Sequence, residues 1–417
     1  MNPILPKEYY IPDVEARQWD DGKVYLYGSN DICGADFYCS PIYRVFSSGD
    51  MKEWTAHEVA FTGYEKGDNR AVVPGILYAP DCICIDGEYC LFYCQENGGE
   101  GMAVSDSPTG PFTGSRVLEY ADMTQIDPAV FQDEDGTVYY YWGQMSAQAG
   151  ILNKEKTGLV KESIVKGILT EEEHGFHEGI SVRKRNGIYY VIYTDISRGN
   201  ATCIGYATGT SPLGPFKKQG IIIDNTGCDP STWNNHGSIA EVDGRWYVFY
   251  HRSTHNSRFS RRVCIEPIDF DANGRIKEVE MTTQGAGEPM DTRQSMAASN
   301  ACLLWGKVYI DTDENKNEFL GHMEDGDWVC YKYYDFQGDE NEIIMEAAVR
   351  GLSEVRLYAD TVHGECIGRI MFDSDTVGQR VKVKGLVQKN VKGIHALYME
   401  FKGEGEDFLH IWNFKFN

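Results

Sequence analysis

Three carboxylic acids in this chain stand at one spacing. Asp13 lies nine residues before Gly22, Asp127 nine before Gly136 and Glu178 nine before Gly187. Each of these glycines follows Asp or Asn and precedes a run rich in Tyr and β-branched residues, the pattern of a tight hairpin turn opening a strand. If the strands are equivalent, the repeat delivers three acids to one level of the fold. Three such acids suit glycosidic bond cleavage, where one carboxylate activates water and another, protonated, aids the leaving oxygen. A third tunes its neighbour, because a nearby negative charge disfavours ionisation. Gly179 directly follows Glu178 and predicts room for a substrate there. His236, eight residues before Gly244, and Asp81, six before Gly87, are the corresponding residues of two further copies.

The elements that must position these residues are themselves a repeat. DGKVYLYGS from Asp21, DGEYCLFYC from Asp86, DGTVYYYWG from Asp135, NGIYYVIYT from Asn186 and DGRWYVFYH from Asp243 are five copies of one turn and strand. Their glycines are 65, 49, 51 and 57 residues apart, enough for one four-stranded sheet each. Five antiparallel sheets in series predict a five-bladed β-propeller, whose innermost strands line a central channel. A second repeat supports it. Ser107-Pro108-Thr109-Gly110-Pro111-Phe112 recurs as Ser211-Pro212-Leu213-Gly214-Pro215-Phe216, and Ser48 to Trp54 is a related turn. These are read as outer-strand turns that end in an aromatic plug between blades.

On these motifs the first 280 residues or so resemble glycoside hydrolase family 43, whose members are five-bladed propellers. Tyr10-Ile11-Pro12-Asp13, followed by Asp21 to Ser29, is similar to the segment of the family's general base, so the resemblance gives Asp13 that role. Gln125 to Phe131 is similar to the segment of the pKa modulator, which implies that Asp127 tunes and orients the acid. Phe176-His177-Glu178-Gly179 is similar to the general-acid segment and implies that Glu178 donates the proton. Tyr78-Ala79-Pro80-Asp81 resembles a Trp-Ala-Pro segment, with Tyr78 in place of the sugar-stacking Trp. His236-Gly237-Ser238 matches a channel histidine that often holds calcium through water. Arg261, or its neighbour Arg262, matches an arginine that binds the sugar. Tyr38, Tyr78 and Trp142 are the aromatics expected to stack on the substrate. The implied reaction is a single displacement with inversion, needing no cofactor for its chemistry, with a structural Ca2+ in the channel as the one ion implied.

Composition agrees with a neutral substrate. The net charge of −24 disfavours nucleic acid and anionic membrane, which clustered Lys and Arg would bind. The 26 Tyr and 8 Trp suit half-buried strands and also sugar faces. No apolar run reaches the roughly 18 residues of a membrane span. The first ten residues lack a secretory pattern, so the twelve Cys are expected as thiols in a cytoplasmic protein. Cys82, Cys84, Cys90 and Cys94 fall in strand patterns, which favours buried thiols over a metal set. His174 and His177, beside Glu171, Glu172 and Glu173, are read as a solvated acidic loop before a strand rather than as a zinc site.

After residue 270 the repeat ends. Thr282 to Pro289 reads as a Gly-rich linker, dividing a propeller of residues 1–284 from a β-sandwich (jelly-roll) of residues 285–417. Gly326-Asp327-Trp328-Val329-Cys330-Tyr331 resembles the GDW-x-x-Y signature of family 6 carbohydrate-binding modules. In such modules an Asn and an aromatic pair hold sugar. Here His410 takes the Asn position, and the usual Trp on the loop from Asp375 to Gln379 is absent. A structural module packed on the propeller is therefore the first expectation, and sugar capture the second.

The reading that gathers these features is an inverting exo-glycosidase for plant cell-wall oligosaccharides, an α-L-arabinofuranosidase or β-xylosidase. A β-galactosidase-type specificity and a non-catalytic sugar-binding propeller are the alternatives. Propellers of families 32 and 68 begin with a WMNDPNG-like string, which this chain lacks.

Overall fold

The computed structural model describes residues 1–96, 99–119, 126–373 and 378–417. Gln125 and the loop residues Asp375, Thr376 and Val377 lie outside the described residues. Five sheets follow one another along the chain. Blade one is β1 (Glu15–Gln18), β2 (Val24–Tyr27), β3 (Ile42–Ser48) and β4 (Thr55–Thr62). Blade two is β5 (Asp81–Ile85), β6 (Glu88–Cys94), β7 (Glu100–Ser105) and β8 (Thr113–Val117). Blade three is β9 (Ala129–Gln132), β10 (Val138–Trp142), β11 (Ser146–Ile151) and β12 (Val165–Thr170). Blade four is β13 (Phe176–Arg185), β14 (Ile188–Asp195), β15 (Cys203–Gly209) and β16 (Lys217–Asp224). Blade five has three strands, β17 (Ser238–Val242), β18 (Arg245–Thr254) and β19 (Ser257–Ile268).

The N-terminal residues complete the fifth blade. Ile4 N donates to Val263 O at 3.1 Å, and Ile265 N donates to the Asn2 side chain at 2.9 Å. Ser238 Oγ, at the head of β17, accepts from Ala16 N at 3.1 Å and donates to Val14 O at 2.9 Å, joining blade five to blade one. The ring is thus closed by both the chain end and a side chain on the channel.

Five apolar clusters fill the five gaps between blades. Tyr27, Leu91 and Phe112 share the first gap, Phe92, Val130 and Tyr140 the second, and Ala129, Tyr141 and Val191 the third. Ile192 with Val248 fills the fourth, and Leu26 with Phe249 the fifth. Strands buried on both faces need apolar side chains in both registers, which is why the inner runs read as unbroken Tyr, Val and Ile. Each buried ring contributes about 1.5–3 kcal/mol. The two Ser-Pro-x-Gly-Pro-Phe turns act as expected: Phe112 and Phe216 are buried plugs, and their Pro108 and Pro212 carbonyls accept from Tyr27 and Tyr141 of the preceding blade at 2.8 Å.

The hairpins are of two kinds. In blades two, four and five the turn is two residues, with φ of 54° and 81° at Asp86 and Gly87 and similar values at the other two. That is the doubly left-handed turn that matches strand twist. Blades one and three use a five-residue connection, residues 19–23 and 133–137.

Among the described residues from Met290 to Phe416, twelve strands form one hydrogen-bonded sheet that curls round a large apolar core containing Tyr331, Met345, Leu397 and Phe414. The Gly-rich stretch before it is anchored rather than loose. Thr282 and Thr283 are buried, and Thr283 N donates to Lys332 O at 2.7 Å. Leu304 N donates to Gly227 O at 2.7 Å, and Lys332 pairs with Glu280 at 2.7 Å, so the module lies against the propeller. No helix among the described residues is long and apolar enough to cross a membrane.

Candidate active site

The residue two places before the first strand is the channel position of a blade. In blades one, two, three and five it is Asp13, Ala79, Asp127 and His236. In blade four, Glu178 reaches the same level from within β13, where the pairing with β14 slips on either side of it. All five line one cavity of about 310 Å³. The strand start explains why Asp81 does not belong with them: it lies two residues deeper and is buried against Arg17 at 2.7 Å. Counted back from its two-residue turn, blade two presents Ala79.

Backbone geometry marks the two aspartates. Asp13 and Asp127 have φ of 57° and 61°, a left-handed conformation that costs a non-glycine residue free energy and persists where its surroundings enforce it. Gly179 has φ of 69°, and a Cβ there would come within 2.7 Å of His236 Cδ2. The space the glycine leaves is therefore filled by the imidazole, not held open for substrate.

Asp13 is 6% exposed and surrounded by cationic or polar nitrogens. Arg261 Nη1 lies 2.9 Å from Asp13 Oδ1, His251 Nδ1 3.4 Å and His236 Nδ1 3.6 Å. Burial alone would raise the Asp13 pKa, but the Arg261 guanidinium and the two imidazoles outweigh it and hold the carboxyl well below the ordinary carboxylate range. Arg261 is itself fixed: Nε and Nη2 donate to the two Asp31 oxygens at 2.9 and 3.0 Å. Its fork is thus spent on two carboxylates.

Asp127 behaves oppositely. Burial first, then the charges of Glu178, Asp13 and Glu100, push its pKa well up. Glu178 is half-buried and accepts from Gln144 Nε2 at 2.8 Å. His236 is driven toward its neutral form chiefly by burial.

The expected aromatics divide. Tyr38 and Tyr78 line the cavity, and the Arg261 guanidinium lies 4.8 Å over the Tyr38 ring. Burial raises the Tyr78 hydroxyl to about 12, so it remains a donor. Trp142 does not reach the cavity. It is 1% exposed in the gap between blades two and three, because the last residue of β10 points sideways into the neighbouring blade. The tryptophan at the mouth is Trp233, 47% exposed, on the loop before β17. Sequence reasoning passed over it, as well as Asp31, His251 and Gln144. Trp233, Asp31 and Gln144 lie outside the turn-strand repeat, while His251 ends its fifth copy; an Arg at 261 needing a buried acid partner was a usable signal for Asp31.

His177 also lines the cavity and pairs with Glu171 at 2.9 Å. Glu171–His174 forms one turn of α-helix rather than a loop, and His174 is buried with Nε2 3.2 Å from Phe216 O. The four cysteines of blade two are free thiols, three of them buried. Among the described residues no group of three or more His, Cys, Asp or Glu converges as a metal set. A calcium ion takes 6–8 oxygen ligands. The chain offers His236 as one neutral imidazole, which suits contact through water and does not form a cage.

Below the cavity a second layer crosses the channel. Arg17 of blade one bonds Asp81 of blade two and, at 2.9 Å, the Val130 carbonyl of blade three. Arg183 of blade four pairs with Glu15 and donates to Ala16 O at 2.9 Å. These four charges sum to zero and are largely buried.

In the C-terminal module, His410 is stacked on Phe319 at 4.4 Å and bonded to Asp407, so it is committed to packing. Trp305 and Trp328 lie parallel, 5.9 Å apart, with Trp305 63% exposed. Flat exposed rings of this kind suit a sugar face.

A propeller funnel that ends on several carboxyls, one held ionised and another inclined to keep a proton, defines a glycoside hydrolase. The chain belongs to glycosyl hydrolases family 43, whose profile matches residues 1–276, and residues 304–417 match the family 6 carbohydrate-binding module. It is similar to a xylosidase/arabinosidase of Thermoclostridium stercorarium, 31% identical over 98% of this chain and 97% of that one. Among solved structures it is similar to a β-xylosidase/α-arabinofuranosidase from a compost microbial metagenome, in complex with xylotriose and calcium-free. That match is 29% identical, with a TM-score of 0.58, over 67% of this chain and 97% of the other. An arabinoxylan arabinofuranohydrolase from Bacillus subtilis, in complex with cellotetraose, shares the fold over 100% of this chain and 97% of its own, at 23% identity and a TM-score of 0.58. Catalysis in this family needs no cofactor.

Proposed function

We propose that the protein is an inverting exo-glycosidase, an α-L-arabinofuranosidase or β-xylosidase, acting on short arabinoxylan and xylan fragments. Residues 1–284 carry the reaction and residues 285–417 form the attached module. The observation that carries this reading is the opposite bias on two equivalent aspartates: Asp13 is held as the anion and Asp127 is not.

In this reading Asp13 removes a proton from water, which attacks the anomeric carbon from one face of the sugar. Glu178 protonates the leaving oxygen on the other face, and the product is inverted. Burial and then the neighbouring Glu178 charge push Asp127 toward its protonated form, and in this reading Asp127 tunes and orients Glu178, which delivers the proton to the leaving group. Arg261 acts mainly on Asp13, keeping it ionised and in place. Tyr38, Tyr78 and Trp233 supply rings for the sugar. Two observations support the substrate class: the names of the relatives above, and a cavity whose lining among the described residues holds no lysine and one arginine, Arg261, already bonded to two carboxylates. A hydrated calcium ion in the channel would be held by His236 and would add positive charge beside the carboxyls. The C-terminal module is proposed as a structural partner first, with Trp305 and Trp328 as its sugar-facing rings. We place the protein in the cytoplasm, where its twelve free thiols would persist.

The deciding experiment is hydrolysis of nitrophenyl α-L-arabinofuranoside, β-D-xyloside and galactosides, with the anomeric form of the first product read by NMR. Turnover of the first or second with inversion is expected. Retention, or binding without hydrolysis, would refute the reading.

A further inference from the structure

Adjacent residues of a strand point to opposite sides, and β19 uses this at Arg261 and Arg262. Arg261 faces the cavity. Arg262, 4% exposed, faces the C-terminal module, where its Nη2 meets Glu318 Oε1 at 2.5 Å. The same nitrogen donates to Tyr10 OH at 2.8 Å and to the Lys7 carbonyl, and the guanidinium lies 4.3 Å over the Tyr10 ring. Tyr10 begins the segment that ends at Asp13, and its carbonyl accepts from Asp31 N at 2.8 Å. Asp31 in turn holds Arg261. Two paths therefore run from Glu318 to the base. One passes through Arg262 and Tyr10 to the Tyr10–Asp13 segment, and the other through β19 to Arg261. The module's turn is seated beside them: His255 Nε2 lies 3.1 Å from Thr312 Oγ1, and Lys7 donates to Lys316 O at 3.0 Å.

We propose that Glu318, a residue of the C-terminal module, is a positioning residue for the catalytic site. Asp13 stands in a left-handed conformation that its surroundings must enforce, and the Tyr10 clamp is part of that enforcement. Glu318 also balances a buried arginine that would otherwise lack a carboxylate. The carbohydrate-binding fold thus serves the chemistry without touching substrate. The inference rests on Asp13 being the base.

The test is steady-state kinetics of the full chain on whichever nitrophenyl glycoside it hydrolyses. Glu318→Gln should lower kcat about tenfold or more while KM stays within about twofold, since a misplaced base costs rate rather than affinity. Glu318→Asp should recover most of that loss. Glu280→Gln, which breaks an interdomain ion pair with Lys332 that does not involve Glu318, should lower the melting temperature yet leave kcat unchanged. A kcat for Glu318→Gln equal to that of Glu280→Gln, or a loss carried by KM alone, overturns the proposal. Should Glu318→Gln fail to fold by circular dichroism, Tyr10→Phe decides: a lower kcat at constant KM supports positioning, and an unchanged kcat overturns it. Full activity in Asp13→Asn would instead sink the assignment of the base, a separate failure.

Discussion

Asp13 and Asp127 occupy the same place in two blades, two residues before the inner strand, with nearly the same left-handed φ of 57° and 61°. Their carboxyls are nonetheless biased in opposite directions. Both carboxyls lie near His236, at 3.6 and 3.9 Å; the difference is that Asp13 is also paired with Arg261 and lies beside His251, whereas Asp127 is pushed up by burial and then by the charges of Glu178, Asp13 and Glu100. A repeat supplies matched positions, and unmatched neighbours bias them in opposite directions, as the proposed base and its complement require.

Asp13→Asn and Glu178→Gln should each lower kcat by about 10²–10⁴-fold with the fold intact. They should differ in leaving-group dependence. Nitrophenolate leaves without a proton, so Glu178→Gln should lose less on nitrophenyl glycosides than on xylobiose, while Asp13→Asn loses equally on both. Parallel kinetics on the two substrates check this.

Arg261→Lys keeps a charge but not the fork. Asp13 would then titrate nearer the ordinary carboxylate value of about 4. The base works only when ionised, so the variant should lose kcat/KM as pH falls through that region, where the wild type retains its ionised base. The same depression adds stability above the unfolded value of about 4 that is lost as pH falls toward the folded one. In the variant that contribution should shrink, as acid melting curves would record.

Gly179→Ala should cost about 1–2 kcal/mol for a left-handed Ala, with the contact on His236 in addition. Removing the ring in Gly179→Ala/His236→Ala should cost less than the sum of the single changes. Additive melting data would show that the two residues do not meet.

Trp233→Ala should raise KM by up to about tenfold with kcat less affected, as loss of a stacking face predicts. Trp142→Phe should leave KM alone and lower the melting temperature, because that ring packs between blades.

Calcium dialysed out and returned should alter activity only in a protein that keeps His236. A calcium response undiminished in His236→Ala would place the ion elsewhere.

The blades were legible because Asx-Gly turns and alternating aromatic strands are local signals, and the carboxyls because they keep step with those turns. Counting failed in blade two, where Asp81 stands six residues before its glycine; eight residues before Gly87, the spacing of His236 from Gly244 across an equal two-residue turn, lies Ala79. Trp142 was legible as an aromatic but not as a buried one, since the face it shares with Tyr140 on β10 meets Phe92 of blade two only when the blades pack. Trp233 lies on a loop with no period to mark it. The choice between Arg261 and Arg262 needed the strand's orientation and the module on its far side.

The layer of Glu15, Arg17, Asp81 and Arg183 under the cavity ties four blades across the axis. That floor closes the channel beneath the cavity, so in the proposed exo-action the released sugar would leave by the same mouth through which the chain end entered.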